Sequence, residues 1–491
     1  MNLNGFVNWL LGTDEVRENN LILGGGYLFG ESKRRRCPIR VPKNLNNQHL
    51  VTVGSSGTGK TRFLYSLVEQ ILESPESIIL MDPHGDLYEN VLSLIAQRVF
   101  AEGKRGLADR LVLIEPTNLQ YGSIGLNILE KVENQLPYEI VAELITAFHA
   151  IWKEAWGARM EDILRNSCLA LQERGLTLTE MPWLLMDEEF RKYIVSKLKN
   201  DDVRMYFEKH FSGFRDFEQK FFIESSRNKV AAFTSNPFLK PILGQAESTI
   251  SFANIMDEGK ICLINLSRTH LKTEARRLFG SLLFAKILMA ILSRENIPEE
   301  KRAPVKIFID EVHEVFCSDL FLPILEGGRK FKAQLAIFFQ SLSQLEDEEI
   351  DIILGNTATQ VSFQVGRQDA ERFAKEFFPF SGKEIKDQTR DIFGARGKAT
   401  FWSTQEKMEN AFSELINQKV RECYIKLKGV EDVPYIAKSL EIEYPEDNQE
   451  WKETLRKTSA EKYNRSQDDI EKEIKERRKL LEREVKEYGN W

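Results

Sequence analysis

The sequence predicts an α/β fold: a mostly parallel sheet that carries a phosphate-binding loop, interrupted by an inserted all-α lobe and followed by a charged C-terminal helix. Three observations lead there. From residue 49 onward, short runs rich in Val, Ile and Leu alternate with helical stretches, as strands buried on both faces of a parallel sheet do. A glycine-rich loop joins the first of these runs to a helix. Between residues 136 and 245 the strand signal gives way to apolar residues at i, i+3, i+4 spacing.

The strands expected from these runs are His49–Val53, Ser77–Met81, Leu111–Ile114, Lys260–Leu266, Val305–Ile309, Gln334–Phe339 and Gln360–Val365. Each has the length of one buried strand. The helical periodicity of the insertion is clearest over Tyr138–Trp152, Arg159–Arg174 and Glu188–Leu198. The expected division is therefore an N-terminal segment (1–47), a first core part with the loop (48–135), the all-α insertion (136–245), a second core part (246–445) and a charged tail (446–491). In the tail, Glu471/Lys475, Glu473/Arg477 and Glu482/Lys486 have the i, i+4 spacing that supports a solvated helix.

Composition narrows the function. A chain of 491 residues exceeds what one core sustains and predicts several lobes. With 42% hydrophobic and 29% charged residues it is neither disordered nor collagen-like. Lys and Arg number 68 against 75 Asp and Glu, a net charge of −7, which excludes a polycation coating nucleic acid. A motor with its positive charge confined to one channel remains compatible. Cys37, Cys168, Cys262, Cys317 and Cys423 form no C-x-x-C pair, so neither a zinc ribbon nor a disulfide framework is expected, and the compartment is reducing. No run of about 18 apolar residues is present. The expectation is a cytoplasmic protein without an intrinsic membrane span, brought to a membrane only by a partner.

Gly54-Ser55-Ser56-Gly57-Thr58-Gly59-Lys60-Thr61 fits G-x-x-x-x-G-K-[ST] between an apolar strand and the helical FLYSLVEQIL. Glycines let successive N–H groups turn toward a phosphate, and the helix presents its positive end to the same anion. Lys60 is expected on the β and γ oxygens of ATP, and Thr61 on Mg²⁺. Strand Val305–Ile309 ends in Asp310-Glu311. Asp310 would share the metal with Thr61, and Glu311 stands where hydrolytic P-loop enzymes place a base or water-orienting group.

These residues and further blocks resemble the HerA/FtsK superfamily of ring-shaped DNA-translocating ATPases, whose core is RecA-like. Within it the sequence is most similar to the conjugative coupling proteins of type IV secretion systems (TraD-like) and their HerA-like helicase relatives. The blocks include Met81-Asp82-Pro83-His84-Gly85-Asp86, Trp156-Gly157-Ala158-Arg159, Asp257-Glu258-Gly259-Lys260, Gly328-Arg329-Lys330, Phe339-Gln340-Ser341-Leu342 and Val365-Gly366-Arg367-Gln368-Asp369-Ala370. They span roughly Gly24 to Val433. In this family an arginine from the neighbouring subunit meets the phosphates, a role the resemblance places on Arg329, with Arg367 as a second candidate. It places a γ-phosphate sensor on Gln340, and leaves Asp82 and His84 open between turn and site roles.

The resemblance implies an ATP-driven, Mg²⁺-dependent translocase that works as a hexameric ring on DNA without sequence preference. A relaxase, a secretion channel or a nuclease is the partner implied. Loops 267–272 and 394–398 are the candidate segments to meet DNA, and Lys33–Arg36 with Arg40 and Lys43, the most basic stretch, could line DNA, rim the nucleotide or bind an acidic neighbour in the ring. The sequence departs from coupling proteins in showing no membrane-spanning start, and from HerA proper in offering little chain before Gly54 for a β-barrel cap. Two other readings stay open. One is the ATPase arm of a HerA-type nuclease or antiviral complex; the other is an ATP-gated scaffold with little turnover, against which Asp310-Glu311 argues.

Overall fold

The computed structural model describes residues 28–32, 38–42, 45, 48–131, 135–212, 216–267, 271–315, 318–378, 385–390, 396–401, 403–430 and 434–489. Along the chain come strands β1 (Leu28–Ser32), β2 (Pro38–Arg40), β3 (Leu50–Val53), β4 (Ser77–Asp82), β5 (Leu111–Ile114), β6 (Ile261–Asn265), β7 (Val305–Ile309), β8 (Ala333–Phe339), β9 (Thr359–Ser362), β10 (Ile385–Arg390), β11 (Arg396–Phe401), β12 (Glu422–Leu427) and β13 (Tyr435–Ser439). The longer helices are α1 (Lys60–Ile71), α2 (Asp86–Phe100), α3 (Pro137–Ile151), α4 (Ala158–Glu173), α5 (Glu188–Ser196), α6 (Asp216–Thr234), α7 (Thr273–Leu292), α8 (Ser318–Gly327), α9 (Arg367–Phe377), α10 (Thr404–Ile416), α11 (Gln449–Tyr463) and α12 (Gln467–Gly489). All seven strands expected from the apolar runs form, within two residues at the start and three at the end.

The chain divides into two compact units: Met1–Leu72 with Phe308–Glu311 and Gln334–Glu443, and Glu73–Ile307 with Val312–Ala333 and Tyr444–Trp491. Strand β7 straddles the division, its last two residues and the carboxylates after it belonging to the first unit.

In the first unit the strand order is β2-β1-β13-β12-β9-β3-β8. β9, β3 and β8 are parallel, with Val53 in register with Ser362 on one side and Phe339 on the other. β3 is buried throughout, which explains its run of Leu, Val, Thr and Val. The P-loop helix α1 docks on this sheet through Phe63, whose ring lies 5.2 Å from Phe29, 6.3 Å from Phe338 and 5.8 Å from Phe363. Such aromatic clusters add about 0.5–1.5 kcal/mol per pair beyond the area they bury.

β12, β13, β1 and β2 extend the sheet as antiparallel strands. The sequence reading contains none of these four. Charged residues interrupt β1 (Glu31), β12 (Lys426) and β13 (Lys438), so they lack the continuous apolar run that marks a parallel strand. The sheet is therefore mixed: parallel in the strands next to the P-loop and antiparallel beyond β9.

In the second unit β4, β6 and β5 lie side by side and parallel, in that order. Between β5 and β6 the described chain is almost wholly helical, with α3 against α4 and α7. Helix α7 is buried along most of its length, as its near-continuous apolar sequence requires.

The tail is not the solvated helix that its charges suggest. Two helices form, and both pack on their own unit. Trp451 of α11 stacks on Phe100 at 5.7 Å, and Ser459 Oγ accepts from the Leu113 amide of β5 at 3.0 Å. Arg456, 8% exposed, donates to Glu115 at 3.0 Å and to Glu453 at 2.8 Å, and also to Glu89. Arg477 of α12 joins Glu180 at 3.1 Å and the Gly244 carbonyl at 2.6 Å. The Glu471/Lys475 pair does form, at 2.8 Å, but on the exposed side.

Removing the Arg456 guanidinium leaves the enclosed Glu115 carboxylate without its counter-charge. We expect Arg456→Ala to cost about 2–4 kcal/mol, seen as a lower urea midpoint and as earlier proteolytic release of residues 446–491.

Candidate functional site

Turn geometry creates the cradle. β3 ends at Val53, and the Gly54 amide donates to the Phe339 carbonyl at 3.1 Å, holding the loop's first residue to β8. The Ser55 amide donates to the Gln364 carbonyl at 2.7 Å on the β9 side. A Cβ at Gly54 would lie 2.6 Å from that of Phe363, so this position has no room for a side chain. Gly57 and Gly59 have φ of 78° and 112°, the left-handed region where a side chain is strained. Gly59 is the residue from which α1 starts. Thr58 Oγ1 donates to the Ser55 carbonyl at 2.7 Å, closing the loop on itself.

Lys60 opens α1 and is 5% exposed. Its ammonium donates to the Gly54 and Ser55 carbonyls and lies 3.5 Å from Glu311 Oε1. Thr61 Oγ1 donates to Asp310 Oδ2 at 3.3 Å, bridging 249 positions of sequence. Asp310 is 2% exposed, and its other oxygen accepts from the Glu311 amide at 3.1 Å. Glu311 has φ of 42°, uncommon for a residue with a side chain. That backbone turn redirects the chain at the strand's end, where paired carboxylates meet the first turn of α1.

The donor set suits a hard cation held jointly with phosphates. A hydroxyl and a carboxylate oxygen 3.3 Å apart present two oxygen ligands, and Mg²⁺ takes few protein ligands and completes its shell with phosphate and water. Among the described residues no group of three or more His, Cys, Asp or Glu side chains gathers to hold a metal without such help.

Gln340 follows Phe339, the β8 residue in register with Val53, so it leaves the sheet at the same edge as the P-loop, and it is exposed. Arg367 starts α9, is exposed, and its guanidinium stacks over the Phe412 ring at 5.5 Å. Arg329 belongs to the second unit, exposed in the tight turn Gly328–Phe331 that follows α8. The structure thus brings together Gly54–Thr61, Asp310, Glu311 and, at the same sheet edge, Gln340. Asp82, in the second unit, is buried and accepts from the His84 and Tyr88 amides, both at 2.8 Å; burial pushes its carboxyl up despite those bonds. It organises the turn into α2, and His84 points outward, exposed. Of the basic segments expected to meet DNA, 33–36, 43, 268–270 and 394–395 lie outside the described residues.

Two residues at this edge escaped the sequence reading. The Arg421 amide donates to the Thr58 carbonyl at 2.8 Å, its side chain covers Gly59, and its φ is 70°. Its guanidinium is tied to the Ser439 carbonyl at 3.0 Å and to Glu441 at 3.0 Å, so the antiparallel extension braces the loop from behind. Nothing in the sequence marks it. Asp369 is 2% exposed and accepts from the Leu342 amide at 3.2 Å, clamping the segment that begins with Gln340. Its carboxyl is held above the usual range by burial. The block Arg367-Gln368-Asp369 was visible in the sequence, but attention falls there on the arginine.

A family model described as the type IV secretion-system coupling protein DNA-binding domain matches residues 35–437. No curated protein sequence matches the chain. Among solved structures, the bacterial conjugative coupling protein TrwB in its unbound form is 18% identical, with 84% of this chain and 88% of that one covered at a TM-score of 0.56. TrwB in complex with ADP and Mg²⁺ is 19% identical, covering 84% and 90% at 0.56. VirB4 of Thermoanaerobacter pseudethanolicus is 13% identical, covering 87% and 99% at 0.54. At such identities these likenesses establish the fold, an α/β RecA-type core.

Because a side chain at position 54 meets a backbone-proximal carbon, Gly54→Ala is expected to lower stability by about 1–3 kcal/mol through overpacking. The same change should weaken binding of a fluorescent nucleotide more than tenfold, measured by thermal unfolding and by titration.

Proposed function

The chain belongs to the type IV secretion-system coupling-protein family, and from that premise we propose that it is an ATP hydrolase that drives DNA, without sequence preference, through a hexameric ring of its own copies. The convergence of Lys60, Thr61, Asp310 and Glu311, from two segments about 250 positions apart, carries this reading. An ammonium beside a left-handed glycine turn fits the β and γ phosphates of ATP, for which it would exchange its carbonyl and Glu311 contacts. Thr61 and Asp310 would hold Mg²⁺, whose contribution is to neutralise charge on the phosphates.

Glu311, released from Lys60 by the incoming phosphate, would orient a water for attack and take up its proton. Gln340 stands at the edge where a γ-phosphate would be sensed. Arg329 would complete the pocket of the neighbouring subunit, with Arg367 as the second candidate, so that turnover depends on ring closure. The biological role this suggests is the motor of a conjugative or other mobile element that hands DNA and a relaxase to a secretion channel. No helix among the described residues is long and apolar enough to cross a membrane.

DNA-stimulated ATPase activity, measured alongside sedimentation, tests the reading. Glu311→Gln should keep nucleotide binding and lose at least about 100-fold in kcat. Arg329→Ala should lose at least about 100-fold while Lys60-dependent binding persists. Full-rate hydrolysis by a monomer, or activity indifferent to DNA, would overturn the ring motor. Co-purification with a nuclease in place of a relaxase would move the same motor to a defence complex.

A further inference from the structure

Helix α7 carries one charged residue among fifteen between Leu278 and Leu292, namely Lys286. Its side chain enters a cavity of about 90 Å³ in the second unit, walled by Ile250, Phe252 and Met289 and by the polar groups of Glu130 and Gln135. Among the described residues Lys286 has neither a hydrogen-bond nor an ion-pair partner. Burial pushes its ammonium down to about 8, and the Glu130 charge opposes that shift, so the two groups sense each other without touching.

The opposite wall is equally unsatisfied. One Glu130 oxygen accepts from the Ser248 amide at 3.2 Å. Gln135 donates to the Met289 carbonyl at 3.2 Å, which aims its amide along the wall, but among the described residues its buried Oε1 receives no donor. A half-buried cation, a carboxylate that does not pair with it, and an acceptor without a donor among the described residues therefore share one small, partly apolar cavity. Charges partly withdrawn from water gain from a partner, and a lysine stem is flexible enough to reach a carboxylate a short distance away. An uncharged occupant would leave both charges uncompensated, whereas a dipolar one of matching length compensates both.

We propose that this cavity is a binding site for a small zwitterion of the α-amino-acid type, its carboxylate on Lys286 and its ammonium toward Glu130 and the Gln135 carbonyl. The space admits a short side chain, which would rest against Ile250, Phe252 and Met289. The site is independent of the nucleotide reading, since none of its residues takes part in that chemistry.

Thermal unfolding and calorimetric titration of the full chain with L-alanine, with glycine, and separately with acetate and methylammonium, decide the matter. L-Alanine at saturation should raise the unfolding temperature of the transition it acts on by about 2 °C or more. Acetate and methylammonium, each satisfying one end only, should bind at least about tenfold more weakly. Lys286→Met, which removes a half-buried charge without shortening the side chain, should unfold no earlier than the parent and lose the response. Glu130→Gln, the milder change, should weaken alanine about tenfold and leave acetate unaffected. A parent that ignores every probe holds water only, which overturns the proposal. So does acetate binding as well as alanine, or an alanine response that survives Lys286→Met.

Discussion

The nucleotide site depends on keeping one ammonium in a nearly closed pocket. Lys60 is 5% exposed, and a charge so enclosed persists only where it is solvated by protein groups. The Gly54 and Ser55 carbonyls and the Glu311 carboxylate do this. Each contact imposes a condition on the backbone. The carbonyls must point inward, which demands left-handed glycines further round the loop, and the carboxylate must turn back, which Glu311 does at a positive φ. The same arrangement brings Thr61 to Asp310, so two segments remote in sequence become one chemical surface.

Holding that surface falls to apolar packing and to the antiparallel extension. Phe63 fastens α1 to the sheet through three aromatic neighbours, which holds the helix end that follows the glycine loop in place. Arg421 props the loop from the β12–β13 side, and Asp369 fixes the start of the segment after Gln340. None of these residues is placed to touch a nucleotide's reacting atoms. They are positioning residues, and they show what the antiparallel strands beyond β9 contribute to the P-loop besides core packing.

The second unit uses charge differently. Arg456 gathers Glu89, Glu115 and Glu453, and Arg477 gathers Glu180 and Glu473, so the highly charged tail becomes part of the fold. In the cavity beside α7 the opposite holds: Lys286 is half-buried and has no hydrogen-bond or ion-pair partner among the described residues.

Local chemistry determined much of this protein before any tertiary contact was known. The seven buried strands announce themselves because parallel strands must be apolar on both faces, and Gly54–Thr61 announces itself because only that spacing of glycines with Lys and Thr makes a phosphate cradle. Asp310-Glu311 at a strand end is legible for the same reason. Tertiary structure alone decided the rest. Strands β1, β2, β12 and β13 carry charged residues among their apolar ones, and their weak pattern becomes a sheet edge only when β9 offers a partner. Arg421 and Asp369 act through backbone groups hundreds or tens of positions away, and any residue type can meet such a group. The tail's charges read as solvated until Glu89, Glu115 and Glu180 are seen opposite them. A side chain's chemistry is written in the sequence, but its partner is chosen by the path of the folded chain.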